Sequence, residues 1–210
     1  MGDEAVLTVR ISSGENSEER RLTVASEMLF KIGNIGAGSL PYPLTAEQFD
    51  TLEYDAGLWE AVKKGLDILS YGDNTESALT SKLRVRGFDR YIAEDAAQYL
   101  SEHGYIDERR ILERAVEQLG SVKLYGRSRI KSELYKKGIS RDVIDEYLEE
   151  YLDLVDTEAN LIKLVKRKCD LDSIGDRKYR EKFYAAMYRL GYSPSEVRDA
   201  IREVMDEETE

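Results

Sequence analysis

A chain of 210 residues, 41% hydrophobic and 35% charged, is long enough for one or two buried cores and has the composition of a helix-rich globular protein. One cysteine and one histidine exclude an internal disulfide and a Cys/His zinc site. No apolar run reaches membrane-spanning length, and nothing at the start reads as a signal peptide, so the expectation is a cytoplasmic protein. The net charge of −11 argues against a strong grip on bare DNA, because phosphate binding needs a basic face.

Residues 1–56 form the first expected region, net −6, with a small β-hairpin and short helices. Leu7, Val9 and Ile11 alternate with Thr8 and Arg10, as in a half-buried strand. Ser12 to Glu19 reads as the turn, and Leu22 and Val24 resume the alternation. Ser26 is a candidate cap for a short helix through Phe30. The stretch Gly33-Asn34-Ile35-Gly36-Ala37-Gly38-Ser39 reads as a flexible connection. It lacks the Gly-Lys-Ser/Thr ending and the βαβ surroundings of a phosphate loop. Thr45-Ala46-Glu47-Gln48 has capping-box spacing and opens a short helix toward Leu52.

Three helical repeats are expected to follow, at 57–106, 107–154 and 155–210, with net charges of −2, −1 and −2. They align on Gly87, Gly138 and Gly191, which are 51 and 53 residues apart. Eight residues before each glycine stand Leu79, Ile130 and Phe183; four before stand Leu83, Leu134 and Met187; one after stand Phe88, Ile139 and Tyr192. The first repeat starts with the stripe Leu58, Trp59, Val62, Leu66 and Leu69. Asn74 or Thr75 caps its second helix, and Ile92, Ala93, Ala96, Ala97 and Leu100 form the third, ending at Gly104. In the second repeat Asp107 is the cap. Ile111, Leu112, Ala115, Val116 and Leu119 form the first face. Ile130 and Leu134 follow, and then, after a cap at Ser140, Val143, Ile144, Tyr147, Leu148, Tyr151, Leu152 and Val155. The third opens near Asp156, with Ile162, Val165 and Cys169 on one face. Its last helix starts at Ser193-Pro194-Ser195-Glu196, a capping box with proline in the first turn. The fold expected is therefore mainly α: tandem three-helix repeats forming a curved array behind a small N-terminal β-hairpin/α segment.

Few residues offer chemistry. His103 sits in the last turn of a helix, where a cation is favourable, and Cys169 reads as a small buried hydrophobe. No spacing singles out a catalytic pair, so no catalytic residue, cofactor or metal ligand is assigned. The one pronounced local charge lies between Lys123 and Lys137, where six basic residues stand against one acidic residue.

Several stretches carry a family resemblance. They are Leu69-Ser70-Tyr71, Thr75-Glu76-Ser77-Ala78-Leu79, Lys82-Leu83-Arg84-Val85-Arg86-Gly87-Phe88 and Gly104-Tyr105-Ile106-Asp107. Then come Gly126-Arg127-Ser128-Arg129-Ile130, Glu133-Leu134 and Lys136-Lys137-Gly138-Ile139. In order and spacing, from about Leu58 to Tyr151, the chain resembles the RecX family, modulators of the RecA recombinase. The hairpin and the third repeat agree in layout only. Two departures stand out. The family's basic, proline-containing segment after Ser-Tyr is here Gly72-Asp73-Asn74, which removes positive charge from the first repeat. The phenylalanine that often follows Gly-Tyr-Leu-Asp is replaced by Ile111 or Leu112.

The resemblance implies a non-enzymatic protein, without cofactor or small-molecule substrate. It would lie in the groove of the RecA–DNA filament and restrain strand exchange, ATP hydrolysis and co-protease activity. Contact with nucleic acid would be weak or indirect, no membrane would be involved, and the protein would act as a monomer. The candidate partner-binding residues are Arg84, Arg86, Tyr125, Arg127, Arg129, Lys131, Lys136, Lys137, Lys166 and Arg167, arginines and aromatics being typical interface anchors. The alternative is a direct nucleic-acid-binding helical module, since helix-turn-helix units also join short helices at a glycine. A hydrolase has only unassigned carboxylates in its favour.

Overall fold

A computed structural model of the chain describes residues 3–13, 16–32 and 41–207, so the Gly33–Ser39 connection and the tip of the hairpin turn lie outside the described residues. The chain is mainly helical, with nine α-helices among the described residues and a two-stranded antiparallel sheet at the N-terminus, as the sequence patterns led us to expect. It divides into two compact units, Met1–Ile106 and Asp107–Glu210.

In the first unit, β1 (Glu4–Ser13) pairs with β2 (Asn16–Ala25) in a register running from Glu4 opposite Ala25 to Ser13 opposite Asn16. Pairing reaches further toward the tip than expected, and the Ser12–Glu19 turn shrinks accordingly. Ala5, Leu7 and Val9 lie on the face turned to a small core with Val24, Ile32, Leu52 and Ala56, while Val6, Thr8 and Arg10 face outward. Ser26 does not cap. It begins a 3₁₀ turn (Ser26–Lys31), and its N–H donates to the Asp3 carbonyl at 2.8 Å.

Helix α1 (Ala46–Ser70) starts at the expected capping box, Thr45 with Gln48, but is continuous through 25 residues instead of breaking near residue 57. Gly57, Ala61 and Gly65 recur every four residues and let α3 (Arg90–Glu102) come close. A methyl group at Gly65 would lie 2.5 Å from Leu100 Cδ1. Between them runs α2 (Glu76–Val85), capped by Thr75, which accepts from the Ala78 N–H; Asn74 instead donates to the Gly72 carbonyl. Trp59, Val62, Leu79, Leu83, Ala93, Ala97 and Leu100 close the core.

The second unit holds α4 (Glu108–Glu117), α5 (Arg127–Lys136) and α6 (Arg141–Leu152), followed by α7 (Thr157–Lys168), α8 (Arg177–Arg189) and α9 (Pro194–Glu207). Asp107 and Asp156 cap α4 and α7 as expected, and Ser193 and Glu196 form the capping box of α9. Ser140 does not cap α6 through its side chain. Its backbone N–H is taken by the Glu108 carboxylate at 2.7 Å, a partner from another helix. Each trio has its own core: Leu112, Ile130, Leu134, Ile144 and Leu148 in the first, Leu164, Phe183, Met187, Val197 and Ile201 in the second. Leu112 is fully buried and Ile111 partly so. Cys169 ends α7 half-buried, with its thiol pKa pushed up chiefly by burial.

One stop recurs three times. Gly87, Gly138 and Gly191 all have left-handed backbones, with φ of 94°, 77° and 98°. After each, the next N–H reaches five residues back: Phe88 to Leu83, Ile139 to Leu134, Tyr192 to Met187. These pairs are also apolar contacts in the core, so each helix end is closed by hydrogen bond and burial together.

Candidate functional site

The candidate surface in the second unit is built on α5. Before it, the last turn of α4 widens to a π turn (Gln118–Val122), and Leu124 adopts φ 54°, a conformation uncommon for a side-chain-bearing residue. That backbone is held by the following trio. Asn160 Nδ2 donates to the Gly120 carbonyl at 3.1 Å, Tyr192 OH to the Leu124 carbonyl at 3.1 Å, and the Gly126 N–H to the Leu190 carbonyl at 2.8 Å. Gly126 and Gly191 meet so closely that a methyl group on Gly126 would stand 2.6 Å from the Gly191 carbonyl oxygen. The direction in which α5 presents its side chains is therefore set from outside its own trio.

On α5 the basic residues are paired. Arg127 bonds Glu149, and Lys131 Nζ lies 3.2 Å from Asp145 Oδ1. Two cations four apart thus meet two carboxylates four apart on α6, running antiparallel. Glu133 takes both Arg129, at 2.9 Å, and Lys136, at 3.0 Å. The Lys136 hydrogen bond and the two cations hold its carboxyl below the usual range, against some desolvation. Tyr125 is half-buried, with Arg129 Cζ at 5.6 Å and Lys123 Nζ at 5.8 Å from its ring centre. Lys137 closes the helix, its N–H bonded to the Glu133 and Leu134 carbonyls. The local excess of positive charge is thus offset by α6, which carries Asp142, Asp145, Glu146, Glu149 and Glu150.

The remaining candidates lie elsewhere. Arg84 and Arg86 are exposed at the end of α2 in the first unit, with Arg86 donating to the Lys82 carbonyl at 3.0 Å. Lys166 and Arg167 are exposed on α7, where Lys166 pairs with Glu207.

A set that the sequence reading passed over is on α8. Between Arg177 and Arg189 stand five basic residues and one acidic residue. Arg177 pairs with Glu181, but among the described residues Lys178, Arg180, Lys182 and Arg189 form no ion pair. Lys178, Lys182, Ala185 and Arg189 follow one another at helical spacing along one exposed stripe, beside Tyr188, 69% exposed. For Arg180, which matches Arg127, the position equivalent to Glu149 is held by Arg202 on α9; Lys182 and Arg189 match Arg129 and Lys136, and Ala186 stands where those two have Glu133. The signal was available as a basic run within one helix, but it disappears when the whole 155–210 segment is summed.

Histidine and cysteine are both in structural settings. His103 ends α3 with Nδ1 2.7 Å from the Tyr99 carbonyl and its ring stacked on Tyr99. Among the described residues there is no group of three or more His, Cys, Asp and Glu side chains placed to hold a metal ion, and no helix long and apolar enough to cross a membrane.

A family model described as "RecX, second three-helix domain" matches residues 107–148 of this chain, the stretch from the α4 cap into α6. The regulatory protein RecX of Clostridium botulinum (strain Eklund 17B / Type B) is 23% identical over 191 residues, 90% of this chain and 87% of that protein. That of Chlorobium phaeobacteroides (strain BS1) is 26% identical over 146 residues, 68% and 94% of the two chains. Pseudomonas entomophila (strain L48) has a regulatory protein RecX 34% identical over 106 residues, half of this chain and 66% of that one. Among solved structures, a crystal structure of regulatory protein RecX shares the fold with TM-score 0.66 at 19% identity, covering 93% of this chain and all of that one. A RecX structure from Lactobacillus salivarius does so with TM-score 0.59 at 21% identity, over 70% and 96%.

Proposed function

The chain belongs to the RecX family of regulatory proteins, and from that premise we propose that it binds the RecA–DNA filament as a monomer in the cytoplasm and restrains the recombinase, ATPase and co-protease activities of RecA. It does so as a binding protein and not as an enzyme. The observation that carries this reading is the paired, mixed-charge face of α5 and α6. Ladders such as Arg127–Glu149 and Lys131–Asp145 offer both signs of charge at fixed spacing, which suits the mixed surface of a protein better than a run of phosphates. Such exposed pairs are worth little to stability, so a partner can exchange them for its own at small cost. The anchors are Tyr125, Arg127, Arg129, Lys131, Lys136 and Lys137, with Arg84, Arg86, Lys166 and Arg167 as outlying contacts.

A second reading, direct contact with nucleic acid, is favoured by the unpaired cations of α8. Four basic residues without an ion-pair partner among the described residues, beside an exposed tyrosine, are the ingredients of a phosphate and base contact.

Both readings are tested together by RecA ATP hydrolysis on single-stranded DNA. The parent protein lowers it. Arg127→Gln with Lys131→Gln weakens that inhibition several-fold while circular dichroism stays helical, and the parent binds bare duplex weakly at physiological salt. If the parent leaves hydrolysis unchanged and binds bare duplex tightly at that salt, the filament reading is wrong and the nucleic-acid module replaces it.

A further inference from the structure

The first unit holds a cleft of about 340 Å³ that the filament reading does not use, walled by α1, α3 and the 3₁₀ turn. Its lining includes Glu27, Trp59, Leu66, Tyr99, His103 and Tyr105. Three of these six are aromatic rings with π faces, and a fourth is the imidazole stacked on Tyr99 with ring centres 3.9 Å apart. Trp59 meets Tyr99 at nearly a right angle, with centres 6.3 Å apart.

The hydrogen-bond inventory of this wall is one-sided. The Trp59 indole N–H is already given to Glu4 at 3.0 Å, and the Tyr99 hydroxyl to Glu27 at 2.8 Å. His103 Nδ1 faces the Tyr99 carbonyl at 2.7 Å; a carbonyl only accepts, so Nδ1 carries the proton and Nε2 of the neutral ring is an acceptor. The donors of three of the rings are therefore spent inside the wall. The cleft offers a guest the Glu27 carboxylate, an imidazole acceptor and electron-rich ring faces, and among the described residues no lysine or arginine lines it.

That combination selects a planar cation rich in donors. Guanidinium is flat, stacks on aromatic faces, carries five N–H donors and stays charged. An ammonium is a compact, strongly hydrated charge with no plane to stack. The volume lies at the lower end for ligand sites, the size of one side chain with its stem.

We propose that this cleft receives the side chain of an arginine presented by a partner protein, with Glu27 as its counter-ion and the Tyr99–Tyr105 side as its aromatic wall. The inference goes beyond the filament reading, and its test contains no RecA, so the two can fail separately.

Trp59 is the only tryptophan in the chain, so its indole N–H is a single, assigned NMR signal in the cleft wall. The full chain is titrated with Nα-acetyl-arginine methylamide and with its neutral isostere, the citrulline derivative. The expected result is a saturable displacement of the indole signal, with affinity for the arginine probe roughly tenfold higher. Glu27→Gln keeps an acceptor for the Tyr99 hydroxyl and removes the charge; it should abolish that preference while leaving the amide spectrum and thermal unfolding in place. Equal response to both probes, no response to the arginine probe, or an undiminished preference in Glu27→Gln overturns the proposal. A lysine probe binding as tightly as arginine overturns the guanidinium assignment, and free arginine binding more tightly than the blocked amide overturns the assignment to a protein-borne side chain.

Discussion

Helices α5 and α8 stand at equivalent places in their trios, each ending in a left-handed glycine, and carry similar numbers of basic residues. Their surfaces are nevertheless opposite in kind. Arg127 and Lys131 of α5 face Glu149 and Asp145, whereas opposite α8 the matching α9 positions are Arg198 and Arg202. Those two arginines turn instead to Asp199 on their own helix, at 3.8 Å and 3.9 Å. The difference teaches that the charge of a helix is not the charge of its surface: carboxylates on the following helix, across a glycine turn, and one turn away on the same helix decide whether a cation is spent or available.

The equivalence of the two helices is most severely tested in the core. Leu134→Ala and Met187→Ala remove side chains at matching, fully buried positions, and each should cost about 2–5 kcal/mol in denaturant unfolding. A parent-like midpoint for either one would break the structural match.

Next in size is the difference in charge. Lys178→Gln, Lys182→Gln and Arg189→Gln together should reduce the slope of log affinity for a single-stranded oligonucleotide against log salt by about 2, whereas Arg127→Gln with Lys131→Gln should move it by well under one. Equal changes in the two variants would mean that pairing on α5 does not matter. Arg202→Glu adds a carboxylate opposite Arg180, by analogy with Arg127 and Glu149. It should weaken the same oligonucleotide by about twofold, the scale of one exposed pair, and a gain in affinity would refute the analogy.

The smallest effect concerns pH. The Glu133 carboxyl is held below its usual range chiefly by Lys136, so its contribution to stability is present at neutral pH and is lost as pH falls through its folded value. Glu133→Gln should flatten the acid side of the stability profile and leave its alkaline side alone. Unfolding midpoints measured across the acid range would show this.

The local chemistry of the fold was legible. Thr45 with Gln48, Asp107, Asp156 and Ser193 with Glu196 all cap as their spacing implies, because a cap needs only residues within one turn. The same holds for the three glycine stops. What failed was non-local. The boundary expected between residues 56 and 57 falls inside α1, where Gly57 is a contact point, its missing side chain making room for Ile92. Ser140 looked like a cap, but its side chain makes no capping bond, and a glutamate 32 residues earlier in the chain accepts its own backbone N–H. The basic stretch from Lys123 to Lys137 was correctly seen as dense in charge, but its partners on α6 belong to the pairing of helices and not to any one segment. The α8 cations were lost by summing over a whole repeat whose acidic residues lie mostly on α9 and the loops.

The seam at Gly126 has a consequence for how this chain can be cut or recombined. A sequence repeat invites the idea of beads that can be excised, duplicated or grafted one at a time. Here, removal of everything after residue 156 would take away Leu190, the acceptor of the Gly126 N–H, together with Tyr192 and Asn160, which fasten Leu124 and Gly120. A fragment ending there would keep every residue of the middle trio and still lose the anchoring of the turn that aims its basic helix. The smallest transferable piece containing a correctly set α5 therefore runs from Asp107 through α9, and the unit of inheritance for this surface is two repeats, not one.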